Sequence, residues 1–182
     1  MRYKESVLLR NGAECTLRNA EASDAESVLE NFNLTHQQTD YLLTYSDENH
    51  FDIAQERQFL LDKENSENAV EICAFVDGIL AGTAGIEAVG TKDKVKHRAD
   101  FGISLEKSFW RKGIGRALTA ACIACAKQAG YSQLELDVVG TNKSAIELYK
   151  SIGFIEFGRN SRGFKTRSGQ WQELILMFLP LA

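Results

Sequence analysis

Proline is almost missing from this 182-residue sequence, which holds a single one at Pro180. There is also no Gly/Ser-rich linker, low-complexity tract or internal repeat, so nothing divides the chain. A length of 182 residues suits one domain, 1–182, with a sizeable core. Cysteine is scarce as well. Cys15, Cys73, Cys122 and Cys125 are too few and too dispersed for a disulfide-stapled scaffold. Cys122 and Cys125 form a CxxC, yet no second CxxC or HxxxH pair completes a zinc set, and no metal is expected. Long apolar runs are absent too. The opening MRYKESVLLRNGAEC has no signal-peptide core, and no later run reaches membrane-spanning length. A soluble cytoplasmic protein without a membrane partner is the expectation. Nor is there an excess of positive charge: 21 Lys and Arg against 25 Asp and Glu give −4. That balance weighs against nucleic acid as a partner, because phosphate binding needs concentrated cations.

What is present is an ordinary globular composition, 44% hydrophobic and 25% charged. Ala13–Arg18 reads as a first strand. Ser23-Asp24-Ala25-Glu26 has the form of a capping box opening a helix through Val28, Leu29 and Phe32. A second helix starts near Asp52 and carries Ile53, Phe59, Leu60 and Leu61. Ala69–Val76 and Leu80–Val89 are strands joined by Asp77-Gly78, a hairpin signal. Arg98–Leu105 is another strand. A helix from about Gly115 to Ala129 follows, with Gly130 as its stop. Ile114, Ala117, Leu118, Ala121, Cys122 and Cys125 fall on one stripe of it, so core packing is the better reading of the CxxC. Leu134–Val139, a helix over Asn142–Ile152 and strands at Phe154–Gly158 and Glu173–Leu179 complete the chain. The order βααβββαβαββ predicts an α/β (α+β) fold, a mixed and mostly antiparallel sheet flanked by helices.

Chemistry is concentrated first at Trp110-Arg111-Lys112-Gly113-Ile114-Gly115-Arg116, where a strand gives way to a helix. N–H groups at a helix start lack internal partners and carry the positive end of the helix dipole. Gly113 and Gly115 permit positive φ and close approach of a ligand, and Arg111, Lys112 and Arg116 add charge. Such a nest suits a pyrophosphate, although a plain strand-to-helix turn would use the same glycines. A P-loop is excluded because GxxxxGK followed by Ser or Thr is absent. A dinucleotide fingerprint is excluded because Leu118 stands where its third glycine belongs.

The strand, the GxG turn and the apolar helix together resemble the acetyl-CoA-binding motif of the GNAT N-acetyltransferases, written Arg/Gln-x-x-Gly-x-Gly/Ala. Here Trp110 takes the first place, with Arg111 beside it. The resemblance implies acetyl-CoA as acyl-donor cosubstrate. Its pyrophosphate would lie on Trp110, Arg111, Lys112, Gly113, Ile114, Gly115 and Arg116, and its pantetheine arm along Ile103, Ser104 and Leu105. A second stretch, Asn142 to Phe154, resembles the other family signature, N-x-x-A-x-x-x-Y-x-x-x-G-F. Asn142 and Tyr149 are seven positions apart, two turns at about 3.6 residues each, and so share a helix face. On the residues alone, Tyr149 also fits the apolar stripe and Asn142 also fits an N-cap. By resemblance, Asn142 contacts the pantetheine arm and Tyr149 protonates the departing thiolate.

The implied reaction is direct attack of a primary amine on the thioester carbonyl, polarised by strand backbone near Leu105. Glu87 is the first candidate for general base and Asp100 the second. The acceptor is a small-molecule amine, a protein N-terminus or a lysine, and the family allows a homodimer. By family analogy its pocket is built from Asn33–Phe51, with Tyr41, Tyr45 and Glu48, and from a loop Arg159–Gln172 carrying Arg159, Arg162, Lys165 and Arg167. A module that binds acetyl-CoA without turning it over is the alternative, and the intact Tyr149 favours the enzyme.

Overall fold

The computed structural model describes residues 1–181. Eight strands form one sheet in the order β1-β2-β3-β4-β5-β6-β8-β7. They are β1 Lys4–Leu8, β2 Glu14–Asn19, β3 Val70–Val76, β4 Ile79–Ala88, β5 Arg98–Leu105, β6 Gln133–Val139, β7 Ile155–Lys165 and β8 Trp171–Pro180. The helices are α1 Ala25–Gln38, α2 Ile53–Asn65, α3 Ile114–Gln128 and α4 Lys143–Ile152. Every neighbouring pair is antiparallel except β5 and β6. The mixed, mostly antiparallel sheet predicted from the sequence is therefore the one observed. Among the described residues no helix is long and apolar enough to cross a membrane.

The main core lies between the sheet and α3 and α4. Ile114, Leu118, Cys122 and Cys125 recur at helical spacing and are fully buried against Ile86, Ala99 and Leu134. Each such leucine or isoleucine contributes roughly 1.5–3 kcal/mol of burial. Cys122 and Cys125 are free and buried, as the stripe reading expects. A smaller cluster on the opposite face packs α1 and α2 through Ala25, Val28, Leu60, Cys73 and Leu80.

The β3–β4 hairpin turns at Asp77 and Gly78, whose φ values of 51° and 78° are those a two-residue turn of this hand requires. Three expectations need correction. Lys4–Leu8 forms an edge strand that its KESVL sequence, lacking alternation, does not announce; it pairs with β2 along its length and packs Val7 against the core. The capping box does not form at Ser23. Instead the Glu21 N–H donates to Asp24 Oδ2 at 2.8 Å, Arg18 grips the same carboxylate at 2.6 and 2.8 Å, and a three-ten turn precedes α1. Asp24 is thus committed to Arg18 and to the chain before the helix. The span from Arg159 to Gln172 is mostly strand, and only Thr166–Gln170 remain outside β7 and β8. Pairing with apolar β8 pulls the polar stretch of β7 into the ladder, with irregularities at Glu156/Gly158 and Asn160/Phe164.

Candidate active site

The parallel ladder between β5 and β6 is short. Arg98, Ala99 and Asp100 pair with Gln133, Leu134 and Glu135, and there the pairing stops. Beyond it β5 stays with β4, through Leu105 opposite Gly82, while β6 stays with β8, through Val139 opposite Leu174. The two strands therefore part into a wedge. The facing edges of Phe101–Leu105 and Leu136–Val139 make no strand pairing across it. Unpaired strand edges are templates for an extended chain carrying amides. At Gly82 a Cβ would stand 2.3 Å from the Ser104 carbonyl oxygen, so only glycine lets β4 follow β5 to its end.

Beyond Leu105 the chain turns through Lys107–Phe109 into α3. Trp110 reaches back, its Nε1 donating to the Leu105 carbonyl at 2.7 Å, and stays 37% exposed. An indole committed to that carbonyl covers the strand end. Arg111 has φ 62°, a conformation that costs a non-glycine residue, and Gly113 has φ 99°. The first backbone bond of the new helix runs from Ala117 N–H to the Gly113 carbonyl at 3.1 Å. Among the described residues the N–H groups of Ile114, Gly115 and Arg116 meet no carbonyl. Arg10 N–H holds the Lys112 carbonyl at 3.3 Å. The result is a nest of donors at a helix start, fit for an anion. Ile114 takes part through its backbone only, because its side chain is fully buried in the core. Arg116 Nη2 donates to Ser151 Oγ at 2.6 Å, tying the start of α3 to α4. Lys112 lies over the Phe109 ring, 4.8 Å from its centroid.

α4 begins beyond the far side of the wedge. Asn142 caps it, Oδ1 accepting from Ala145 N–H at 3.3 Å, so the N-cap reading of this residue is correct. Its Nδ2 has no protein partner among the described residues. Gly153 ends the helix at φ 115°. Tyr149 is 6% exposed, its ring held edge-on to Phe101 at 6.2 Å and tilted against Phe154 at 5.6 Å. Phe101 is the first β5 residue past the ladder, so Tyr149 lies where the wedge opens. Its hydroxyl has no hydrogen-bond partner among the described residues, yet it is not sealed from solvent. Burial raises its pKa, so the phenol is protonated at neutral pH.

Strand alternation sends Ala99, Phe101, Leu134 and Leu136 into the main core. Asp100, Glu135 and Asp137 consequently occupy the α1–α2 face. Glu135 is buried and gripped by Arg98, one of whose bonds is 2.6 Å. Asp100 and Asp137 remain exposed. Burial, then the Glu135 carboxylate, raises the pKa of each, and for Asp100 the neighbouring Asp137 adds to it. Glu87 is less well placed than its sequence position suggests. It lies on β4, one strand away from the wedge, and is ion-paired to Lys63 of α2. Asp137 was missed in the sequence, although alternation along Leu134–Val139 puts it beside Glu135. That it stands where β6 has left β5 is a matter of pairing, which no local signal carries.

On the same side, a cavity of about 420 Å³ separates the end of α1 from the Ser46–Glu48 turn and Arg167. Arg167 donates to Asp47 at 2.7 and 2.9 Å, lies 4.1 Å over the Tyr45 ring, and gives its backbone N–H to the Tyr45 hydroxyl at 3.0 Å. This clasp joins Asn33–Phe51 to the β7–β8 turn, the two regions singled out in the sequence. Glu48 accepts the Tyr45 N–H at 2.7 Å and caps the turn. Arg159 bonds Glu156 and Glu173, and Arg162 and Lys165 flank Trp171. The basic cluster is therefore split among separate local partners.

Comparison with known proteins agrees with this geometry. Residues 31–154, more than half of the chain, match the Acetyltransferase (GNAT) family. The [ribosomal protein bS18]-alanine N-acetyltransferase of Escherichia coli (strain K12) is 34% identical over 82 residues, 45% of this chain and 55% of that protein. The chain thus spans about half the length of such curated relatives. An L-amino acid N-acetyltransferase of the same organism is 29% identical over 108 residues, 59% of this chain and 65% of its own. Among solved structures, a GNAT-family acetyltransferase from Streptococcus pneumoniae superposes with a TM-score of 0.87 at 28% identity, over 91% of this chain and 99% of that one. A phosphinothricin acetyltransferase from Sinorhizobium meliloti, solved in complex with acetyl-CoA, shares the fold at a TM-score of 0.79 and 24% identity, over 92% and 89% of the two chains. By its splayed sheet, its donor nest and its match across both motifs, the chain belongs to the GNAT acetyltransferase family.

Proposed function

We propose that this chain is an acetyl-CoA-dependent N-acetyltransferase that acts on a primary amine, with Tyr149 as general acid. The observation that carries the reading is the Tyr149 hydroxyl, protonated and without a partner among the described residues, at the opening between β5 and β6. The unpaired edges of β5 and β6 fit an arm bearing amides, with Ile103, Ser104 and Leu105 on one side and Asn142 Nδ2 on the other. The N–H groups around Gly113 and Gly115, with Arg111, Lys112 and Arg116 near them, fit a pyrophosphate.

Acetyl-CoA supplies an acetyl group on a thioester. A neutral amine nitrogen forms the new bond to its carbonyl carbon, and the carbon–sulfur bond breaks. The Tyr149 O–H gives its proton to the departing sulfur and recovers one from solvent. The proton shed by the amine goes to a carboxylate on the α1–α2 face. Asp137, with Asp100 beside it, is better placed for this than Glu87, which Lys63 already holds. Burial and the Glu135 carboxylate raise the proton affinity of both aspartates, the direction a proton acceptor needs.

The test is thiol release from acetyl-CoA in the presence of a panel of primary amines. Tyr149→Phe is expected to lower kcat by about a hundredfold or more and to leave acetyl-CoA affinity within about twofold. Unchanged turnover removes Tyr149 from the mechanism. Tight acetyl-CoA binding with no turnover on any amine would establish the non-catalytic alternative.

A further inference from the structure

The cavity behind the Tyr45–Asp47–Arg167 clasp adjoins the site just described. Gln38, one of its lining residues, accepts the Lys107 N–H at 2.7 Å, and Lys107 follows the end of β5 by two residues. His36 lines the same space. Its proton position is set by its surroundings. Nδ1 lies 2.8 Å from the Phe32 carbonyl oxygen, which only accepts, so Nδ1 carries the hydrogen. The imidazole also stacks on the Phe32 ring, 3.7 Å between centroids, which holds its plane. Nε2 is left with a bare lone pair and no protein partner among the described residues. Burial lowers the pKa below the ordinary 6.5, the Phe32 carbonyl opposing only in part, so the ring is neutral at pH 7.

The charges lining the cavity are Asp40, Asp47 and Arg167. Arg167 is spent on Asp47. One carboxylate, Asp40, and one lone pair, His36 Nε2, remain, with no free cation among the lining residues. A free amino acid carries its carboxylate on the carbon next to the reactive amine, so that anion would meet Asp40 and no unpaired cation among the lining residues. A peptide carries an amide there instead, and its following N–H groups are donors. Resting on the transferase reading above, we propose that the acceptor is the N-terminal α-amine of a peptide, whose main-chain N–H is held by His36 Nε2 in this cavity, and that free amino acids are rejected.

The experiment uses the intact protein, acetyl-CoA and two acceptors with the same reactive residue: a tetrapeptide amide beginning with alanine, and free L-alanine. The peptide amide is expected to have a kcat/KM at least tenfold above that of alanine. His36→Phe, which keeps the stack on Phe32, should raise the KM for the peptide about tenfold, the loss of one hydrogen bond. It should leave the KM for acetyl-CoA within about twofold, and His36→Gln should restore part of the loss through its carbonyl oxygen. In the unaltered protein the peptide KM should climb at acidic pH, once His36 takes a proton below the ordinary imidazole range, and His36→Phe should lack that climb. Equal or better use of free alanine overturns the proposal, as does an unchanged peptide KM in a His36→Phe protein of normal circular dichroism. If acetyl-CoA binds and neither these nor any other amine releases thiol, the transferase reading itself fails. Turnover on amines with the wrong preference defeats the present inference alone.

Discussion

Glu56 projects from α2 toward β3 and is 5% exposed, with no hydrogen-bond partner of its own among the described residues. Burial, and then the carboxyl of Glu71, push its pKa from 4.5 to about 7. The Glu71 carboxyl is raised as well, by burial first, and the nearby Lys63 is engaged by Glu87. An acid whose folded pKa exceeds its unfolded one favours folding when protonated. Its contribution is intact below pH 4.5 and is lost progressively as pH rises through about 7. Multiplying the distance from 4.5 to about 7 by ~1.4 kcal/mol per pH unit gives about 3 kcal/mol of lost stability, an upper bound since α2 can shift to admit water. Glu56→Gln removes the charge and keeps the shape. Urea denaturation of both proteins from pH 5 to pH 8.5 is the assay. The substituted protein should match the parent near pH 5 and exceed it by roughly 2–3 kcal/mol at pH 8.5. A constant difference across that range would show that Glu56 is ionised and solvated in the folded protein, and would refute the reasoning.

Gly113→Val should weaken acetyl-CoA binding by at least tenfold in calorimetry. The φ of 99° resists any side chain, and the open space a Cβ would enter lies beside the free N–H groups. Normal affinity would remove that turn from the site. Asp137→Asn should lower kcat/KM for the amine by about tenfold to a hundredfold, and Glu87→Gln by less than about threefold; the reverse order would return the base to β4. Arg167→Ala should raise the acceptor KM several-fold and leave the melting temperature unchanged, because the clasp is solvent-exposed at both ends. A KM change confined to acetyl-CoA would separate the clasp from the acceptor side. Cys122 and Cys125 should resist thiol reagents until the protein is unfolded, since both are buried and burial raises their pKa values. Fast labelling of the native protein would contradict their core position.

Much of the fold was legible in local patterns because each of those patterns has a local cause. Asp77-Gly78 marks its hairpin by the φ values only such residues adopt cheaply. The second helix starts at Asp52 as expected, where Asp52 accepts from Gln55 N–H at 2.8 Å. Gly153 does stop α4. Where the cause is a distant partner, local reading fell short. The edge strand Lys4–Leu8 exists because β2 offers it a ladder, and β7 runs to Lys165 because β8 lies alongside. Asp24 serves Arg18, six residues back, and the capping box expected at Ser23 does not form.

The candidate site divides along the same line. The sequence by itself determined the glycine turn at Trp110–Arg116 and the Asn142–Phe154 helix, since positive φ, capping and helical period are properties of a few consecutive residues. It also marked Tyr149, by a resemblance that spans both segments. Only the tertiary structure decided that β5 and β6 separate after Asp100, that Tyr149 lies at that separation, and that Asp137 stands there while Glu87 is held by Lys63. Only it showed that Arg167, some 120 residues after Tyr45 and Asp47 in sequence, joins them beside a cavity that His36 also lines. The physical reason is that pairing, burial and ion contacts depend on which strands share an edge, and that choice is made by the whole sheet at once.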